Sequence, residues 1–214
     1  MARTQASDYD QRREAILDHA AELFARKGFN GASIAELAAA CKTSKSLIYH
    51  YYPSKEDILY EVMASHVEAL AEMVETLEKG SGSPRAQLDE LIGRFIALYM
   101  GAKSRQKVLL DELEYLPDAR REAIVGQQRQ LVAAVSKLLA DIHPALANDK
   151  KQLTAVTMLL FGMINWTKNW FHADGAISPQ QLAKLATTIM LDGVGGLDVA
   201  SLKTGVPNPR MRQI

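Results

Sequence analysis

Hydrophobic residues recur at helical spacing along most of this chain, and no convincing strand-like alternation interrupts them. Between residues 58 and 77, and again between 88 and 99, apolar side chains return every three or four positions. Prolines and capping residues separate the later helices, which we predict over about 104–116, 118–142, 149–172 and 178–193. The pattern therefore predicts an all-α fold, with a mobile tail after Gly196.

Two short helices joined by a tight turn are predicted in the first quarter of the chain. Ser33 and Glu36 have the spacing of a capping box, so a helix begins directly after the serine. Thr43 and Ser44 suit the cap of the next helix, which ends before Pro53 because proline disfavours helical backbone at the preceding residue. This is the pattern of a helix-turn-helix, whose second helix enters the DNA major groove.

The second short helix carries side chains suited to DNA. Lys45 offers a flexible charge to a phosphate, and so does Lys55, where a phosphate would offset an unfavourable helix dipole. Ser46 suits a base edge, and Tyr49 and His50 suit phosphates unless they pack on the core of their own domain. The predicted DNA-contacting residues are Ser33, Thr43, Ser44, Lys45, Ser46, Tyr49, His50 and Lys55.

Residues of about 10 to 60 carry three segments of one known pattern. These are a first helix over Arg13–Phe24, a link over Lys27–Ser33 and the stretch Leu47–Leu59. Together they resemble the DNA-binding domain of the TetR family of one-component repressors. The resemblance implies a dimeric, all-helical repressor that a small ligand releases from DNA. We accordingly expect a helix-turn-helix domain over 1–54 and a helical effector-binding and dimerisation domain over 55–214.

The turn between the two short helices departs from that family pattern. It has Cys41-Lys42-Thr43 where the family usually has Ala-Gly-Val. A lysine lacks the freedom of glycine to adopt positive φ, so the turn either bends differently or bears some strain. Ser46 stands where glycine or alanine is common, which alters the expected base preference.

Composition narrows the class of protein. The 214 residues are 48% hydrophobic, which is enough for a sizeable core, but no run is apolar enough to span a membrane. The polar N-terminus does not resemble a secretory signal, and a single cysteine excludes an intramolecular disulfide framework. These observations indicate a protein of the reducing cytoplasm, with no membrane partner.

The net charge of zero conceals an uneven distribution. Residues 1–55 contain eight Lys and Arg against six Asp and Glu, a net charge of +2, and the remainder carries −2. DNA binding must therefore depend on a few placed side chains rather than on bulk charge.

Catalysis is not predicted. None of the five histidines forms a metal-spaced pair, and the glycine motifs of hydrolases and nucleotide-binding enzymes are missing from the sequence. Cys41 lies in the turn and is interpreted as a small packed residue. We expect no metal, no cofactor and no enzymatic activity.

The last two predicted helices are the candidate dimer interface. The first of them is apolar over most of its circumference, and Ala155 and Gly162 permit close approach. They either complete a monomer core or, as the family resemblance favours, form a four-helix interface between two chains. A twofold dimer would bind a palindromic operator with half-sites about 34 Å apart. The predicted interface residues are Val156, Leu159, Leu160, Met163, Leu182, Leu185 and Ile189.

The family resemblance places an effector pocket between the long helix that follows the DNA-binding domain and the next three helices. Asn165 beside Trp166 is a polar group in an apolar helix, which suits a ligand contact. The alternative for each apolar candidate is ordinary core packing. The predicted effector-contacting residues are Met63, Val67, Phe95, Leu98, Tyr99, Leu109, Leu113, Tyr115, Arg120, Arg121, Phe161, Asn165, Trp166 and Trp170.

The effector class rests on a looser resemblance. The segment Gly162–Trp166, followed by Trp170-Phe171, is similar to repressors of fatty-acid, steroid and aromatic-acid catabolism, many of which sense acyl-CoA thioesters. An acyl-CoA needs cations to bind its phosphates. The alternative for each basic candidate is a solvated surface charge with no ligand contact. The candidates are Arg94, Arg105, Lys107, Arg120, Arg121 and Arg129. The rival is a multidrug-type repressor of an efflux pump, for which Glu112 and Glu114 would bind cationic compounds.

Overall fold

The computed structural model describes residues 2–78, 82–172 and 174–193. Within these ranges the regular elements are ten α-helices and two short 3₁₀ segments, Leu113–Tyr115 and Thr167–Asn169, with no strand. The predicted all-α fold is therefore confirmed, whereas the predicted mobile tail lies outside the described residues. The helices are α1 Ala2–Gly31, α2 Ile34–Ala40, α3 Lys45–Tyr51, α4 Lys55–Glu78, α5 Pro84–Gly101, α6 Lys103–Asp111, α7 Asp118–Ile142, α8 Pro144–Ala147, α9 Lys150–Trp166 and α10 Pro179–Asp192.

Side-chain caps start several of these helices where the sequence predicts them. The Ser33 hydroxyl accepts from the Glu36 amide at 3.2 Å, and the Glu36 carboxylate accepts from the Ser33 amide at 3.0 Å. Ser178 and Gln181 form the same reciprocal pair before α10. These two capping boxes satisfy amide donors that the first helical turn leaves unpaired, so both starts are encoded locally.

Three helix boundaries differ from the prediction. Helix α6 ends at Asp111 instead of continuing to 116, because Glu112 leaves the helical conformation at φ −120°. Helix α9 ends at Trp166 and gives way to a 3₁₀ segment, in which the Thr167 hydroxyl donates to the Ile164 carbonyl oxygen at 2.6 Å. Pro144, predicted only to end α7, begins α8, where a proline without an N–H is well tolerated.

The chain forms two compact units. Of the described residues, the first comprises 2–69 and 102–128, and the second comprises 70–78, 82–101, 129–172 and 174–193. In the first unit the fully buried side chains include Phe24, Leu37 and Ile48, one from each of α1, α2 and α3. Because each of these three helices contributes an apolar side chain to the same unit, they are held as a small domain, here called the head.

The second unit is organised by α5 and α10. Gly93 lets the helices approach closely, since a Cβ there would lie 3.6 Å from the Cβ of Ala183. The Thr187 hydroxyl donates to Asp89 at 2.9 Å, and Arg85 forms an ion pair with Asp192 at the end of α10. These polar contacts fix the register of two helices whose shared face is apolar.

Candidate DNA-binding surface and effector region

Helix α3 presents a polar face to solvent. Ile48 is fully buried and fixes the helix in the head, whereas Lys45, Ser46, Tyr49 and His50 are exposed. Tyr49 keeps 49% of its surface accessible, so neither it nor His50 packs in the core of the head. The arrangement leaves hydroxyl, imidazole and ammonium groups available on one short helix, as contacts to DNA phosphates and base edges require.

The caps of α2 and α3 hold three further predicted residues. Ser44 caps α3, since its hydroxyl accepts from the Leu47 amide at 3.2 Å. Ser33 is exposed in its capping box, where a hydrogen bond from Lys27, and then those from Ser33, lower the pKa of Glu36 to about 2. Thr43 is half-buried in the turn and does not cap α3. Their contacts to DNA remain predictions.

The Lys55 side chain makes its contacts within the head. Its ammonium group donates to the carbonyl oxygens of Phe29 at 2.8 Å and Ala32 at 3.0 Å, and lies 4.2 Å from the centre of the Phe29 ring. These partners explain why a lysine occupies the first position of a helix, which the sequence-based hypothesis attributed to a phosphate. The contact of Lys55 with DNA stays a prediction beside this structural role.

The turn between α2 and α3 has strained backbone at its lysine, which is one of the two alternatives that the sequence left open. Lys42 has φ 50°, and among the described residues it is the one non-glycine position with positive φ. The Thr43 amide donates to the Ala38 carbonyl at 2.9 Å, which closes the turn. Cys41 is half-buried beside it, and burial raises the pKa of its thiol, so the reactive thiolate is disfavoured.

A buried carboxylate joins the end of α1 to the end of α6. Glu112 is 8% exposed and accepts a hydrogen bond from the Phe29 backbone amide at 2.9 Å. Gly28, with φ 74°, kinks α1 just before this point. A residue with a side chain would be strained there, and its Cβ would lie 3.6 Å from the carboxylate. Sequence reasoning placed Glu112 in a drug pocket and missed this role, because its partner lies 83 positions away.

Two arginines make further links inside the first unit. Arg105 on α6 pairs with Glu14 and Asp18 on α1 and donates to the Ser65 hydroxyl at 2.7 Å. Arg120 on α7 pairs with Asp57 in the first turn of α4. Both had been candidates for binding ligand phosphates, but their guanidinium groups already face carboxylates. The acids they bind lie far away in the sequence, so no local pattern marks them as partners.

The predicted effector residues do not form one group. Three of them make an aromatic cluster in the second unit, with the Phe95 ring 5.8 Å from both Tyr99 and Phe161. Leu98 and Asn165 are half-buried, whereas Trp166 and Trp170 are 66% and 50% exposed.

The remaining candidates belong to the first unit. Met63, Val67 and Leu109 are buried and Leu113 is half-buried, whereas Tyr115 stacks on Phe29 with ring centres 5.6 Å apart. Arg121 pairs with Asp118 in its own helix. The structure thus divides the predicted set between two units.

The second unit contains a groove that the sequence did not indicate. Two adjoining cavities, of about 100 and 430 Å³, share Val74, Ala134 and Lys137 and lie between the second half of α4, α5 and α7. Seven of the twelve residues that line them are apolar, and five are polar or charged. The remaining lining residues are Ala71, Glu75, Gln87, Leu91, Gln130, Leu131, Ala133, Leu138 and Asp141.

The predicted dimer residues also fall into two sets. Leu159 and Ile189 are 67% and 38% exposed, and Val156, Met163 and Leu185 are half-buried. Leu160 and Leu182 are only 1% and 8% exposed, so both pack in the chain's own core, and their part in an interface stays a prediction. Helical periodicity alone does not tell which face of an all-apolar helix its own chain covers.

Comparison with known proteins gives one consistent result. The family model "Bacterial regulatory proteins, tetR family" matches residues 16–62, and "Tetracyclin repressor-like, C-terminal domain" matches residues 81–194. A TetR-family transcriptional regulator from Bordetella parapertussis 12822 is similar in structure, with a TM-score of 0.84 and 38% identity. The alignment covers 86% of this chain and 96% of that one.

Two further relatives are more distant. A structure of AibR in complex with isovaleryl coenzyme A and operator DNA has a TM-score of 0.74 and 25% identity, covering 84% of this chain and 98% of that one. The transcriptional repressor KstR2 of Rhodococcus jostii RHA1 is 23% identical over 188 residues, covering 86% of this chain and 91% of its own. Separately, no helix among the described residues has the length and apolar character needed to cross a membrane.

Proposed function

The chain belongs to the TetR family of ligand-responsive, DNA-binding transcriptional repressors, and on that premise we propose that it is a homodimer that an acyl-CoA thioester releases from a palindromic operator. Residues 1–54 bind DNA, and residues 55–214 bind the effector and the second copy. The observation that carries the proposal is the exposed polar face of α3, held by a buried Ile48 and a capping Ser44.

A second copy of the chain is proposed to cover one face of α9. Thr157, Leu160 and Ile164 are buried on one side of this helix. The other side exposes large apolar groups, Met158, Leu159 and Trp166, together with the small residues Ala155 and Gly162. Spacings of three, four and eleven residues place these exposed groups on one stripe. An apolar stripe of this length on a water-soluble domain is typical of a protein interface.

The groove in the second unit is the proposed effector site. Its apolar wall of Val74, Leu91 and Leu138 suits an acyl chain, and Lys137 at its edge suits a phosphate. Arg129 is exposed two helical turns before Lys137, so both cations lie on the same side of α7. Similarity to AibR, whose structure contains isovaleryl coenzyme A and operator DNA, supports this choice of effector.

Helix α4 is proposed to transmit the effect of the ligand. Its first turn, capped by Ser54, belongs to the first unit, and its residues Ala71 and Val74 line the groove. A ligand that binds one tilt of α4 more tightly than another shifts the protein toward that tilt. The spacing of the two recognition helices in the dimer then no longer matches the operator.

Fluorescence anisotropy on labelled DNA from upstream of the protein's own gene tests this proposal. The complex is titrated with a panel of acyl-CoA thioesters and the matching free acids. We expect release by a thioester and not by its acid, and loss of that release in Lys137→Gln. Lys184→Gln removes an exposed lysine from α10 and serves as the control. Operator binding that no thioester disturbs would contradict the effector assignment.

A repressor of an efflux pump that senses aromatic or cationic compounds is the second candidate. Glu75 and Asp141 line the groove, and carboxylates there favour a cationic ligand. Glu112 no longer supports this alternative, since it is occupied by the Phe29 amide. Release by a cationic dye, abolished in Asp141→Asn and unaffected in Lys137→Gln, would favour this candidate over the first.

A further inference from the structure

A notch of about 250 Å³ lies in the head between α1 and the turn that precedes α3. Ala15, Ile16 and Leu47 form the apolar part of its lining, whereas Arg12, His19 and Lys42 supply basic groups. Thr43, Cys41 and Tyr51 complete the lining, so the nine lining residues include hydroxyl donors and no carboxylate. This balance suits a small anion with several oxygen acceptors.

The notch adjoins the face of α3 that is proposed to contact DNA. Leu47 and Tyr51, which line it, are four residues apart and therefore form one stripe along the helix. Ser46 and His50, both exposed, directly precede them and form the neighbouring stripe. A DNA strand that passes Ser46 and His50 therefore passes the mouth of the notch.

The first helix is held against this flank of α3. The Tyr9 and Tyr51 rings lie 4.7 Å apart at an interplanar angle of 34°. Arg12 follows Tyr9 by three residues and so lies on the same face of α1. The stack thus holds the backbone that carries Arg12 beside the recognition helix.

Lys42 occupies a position that favours glycine. Its φ of 50° costs about 1 kcal/mol or more for a residue with a Cβ. Strained backbone of this kind concentrates at sites where the side chain is used. Lys42 is exposed, so its side chain contributes no core packing that would offset the strain.

We propose that Lys42 and Arg12 bind a backbone phosphate of the operator at this notch, as a contact separate from those of α3. The proposal rests on the DNA-binding function proposed above. The contact is independent of base sequence, because it reaches only the phosphodiester oxygens. It adds to affinity and to salt dependence without changing which operator is preferred.

The variant Lys42→Gly separates stability from binding. Removing the strained lysine should raise the melting temperature, whereas removing its charge should weaken DNA binding. Neutralising one phosphate contact lowers the slope of log Kobs against log salt by about 0.9 for each bound protomer, which is a roughly eightfold loss at 0.1 M salt. Operator and unrelated DNA should lose affinity by the same factor.

Three further variants complete the experiment, all measured by anisotropy from 0.05 to 0.3 M salt. Lys42→Arg keeps the charge and should bind like the wild type. Arg12→Gln should reproduce the smaller slope, and Lys107→Gln on α6 controls for net charge. If the wild type binds DNA and Lys42→Gly shows the same affinity and slope, the proposed phosphate contact at the notch is wrong, whereas the proposed DNA-binding function stands. A wild type that fails to bind its operator would overturn the proposed function and the notch with it.

Discussion

Lys55 shows how a single charged side chain can serve the fold of the head. Its ammonium group bridges two backbone carbonyls near the end of α1 and covers the Phe29 ring. A hydrogen bond from a charged donor contributes about 1.5–3 kcal/mol, more than a typical neutral one. The positive charge at the start of α4 therefore has an explanation in the stability of the head, whatever its predicted contact with DNA.

The variant Lys55→Met tests that assignment. It keeps the aliphatic stem but leaves the Phe29 and Ala32 carbonyls without this donor, so we expect a loss of about 1–3 kcal/mol in the free energy of unfolding. Denaturant unfolding followed by circular dichroism measures it. The salt slope of DNA binding should stay as in the wild type. A reduced slope at unchanged stability would instead support the predicted contact of Lys55 with DNA.

His66 makes stability depend on pH. It is buried, with its ring nitrogen 2.7 Å from the Gln106 side-chain oxygen, and burial lowers the pKa of the imidazole. The neighbouring Arg105 acts in the same direction. Because the unfolded chain binds this proton more readily, folding stability falls as pH drops below the ordinary histidine value of about 6.5.

The variant His66→Gln should flatten that dependence. We expect the free energy of unfolding of the wild type to fall more between pH 7.5 and 5.5 than that of the variant. Denaturant titrations at several pH values give the difference in the free energy of unfolding between the two proteins. The contributions of the other histidines are common to both proteins and cancel in this difference. Parallel curves of the free energy of unfolding against pH would show that His66 binds its proton equally well in the folded and unfolded chains.

Helix starts and helix ends depend on information at different distances along the chain. The starts of α2 and α10 follow from capping boxes of four residues, so the sequence predicts them. The end of α6 is set by Glu112 and its partner Phe29, which no pattern of neighbouring residues discloses. Positive φ at Lys42 was one of two open alternatives, because the sequence shows only that a lysine replaces the usual glycine.

The end of α6 is open to test by hydrogen exchange. Glu112→Ala leaves the Phe29 amide without its acceptor, and a buried unpaired donor costs about 1–3 kcal/mol. We expect faster exchange of that amide and a comparable loss of stability. Glu112→Gln retains an acceptor oxygen and should preserve most of the protection. Equal protection in all three proteins would show that the bond contributes nothing in solution.

At the scale of the whole molecule, the sequence predicted the helices other than α8 but not which residues contact each other. The effector candidates were chosen from apolar stripes, and they fall into two separate units because long-range packing decides where each stripe faces. The groove at Val74 and Lys137 was missed for the same reason. Local patterns predict more of the proposed DNA-binding surface, since α3 and both of its caps lie within a dozen residues.

Assembly provides the test at this scale. Leu159→Glu places a charge in the exposed stripe of α9, and we expect a monomer of unchanged helical content in sedimentation experiments. Ala123→Glu, which adds the same charge at an exposed position of α7, is the matched control and should remain dimeric. Leu160→Ala should instead destabilise the fold by about 2–5 kcal/mol, since its side chain is buried. A Leu159→Glu protein that stays dimeric would place the interface elsewhere.

The bond between Glu112 and position 29 uses the backbone amide of one partner and the side chain of the other. Nineteen of the twenty amino acids carry that amide, and proline alone lacks it. Replacement of Phe29 therefore leaves this bond intact, whereas replacement of Glu112 removes it. Among relatives that share the bond, these two positions should vary without statistical correlation, so covariation methods would overlook a contact that joins the head to α6.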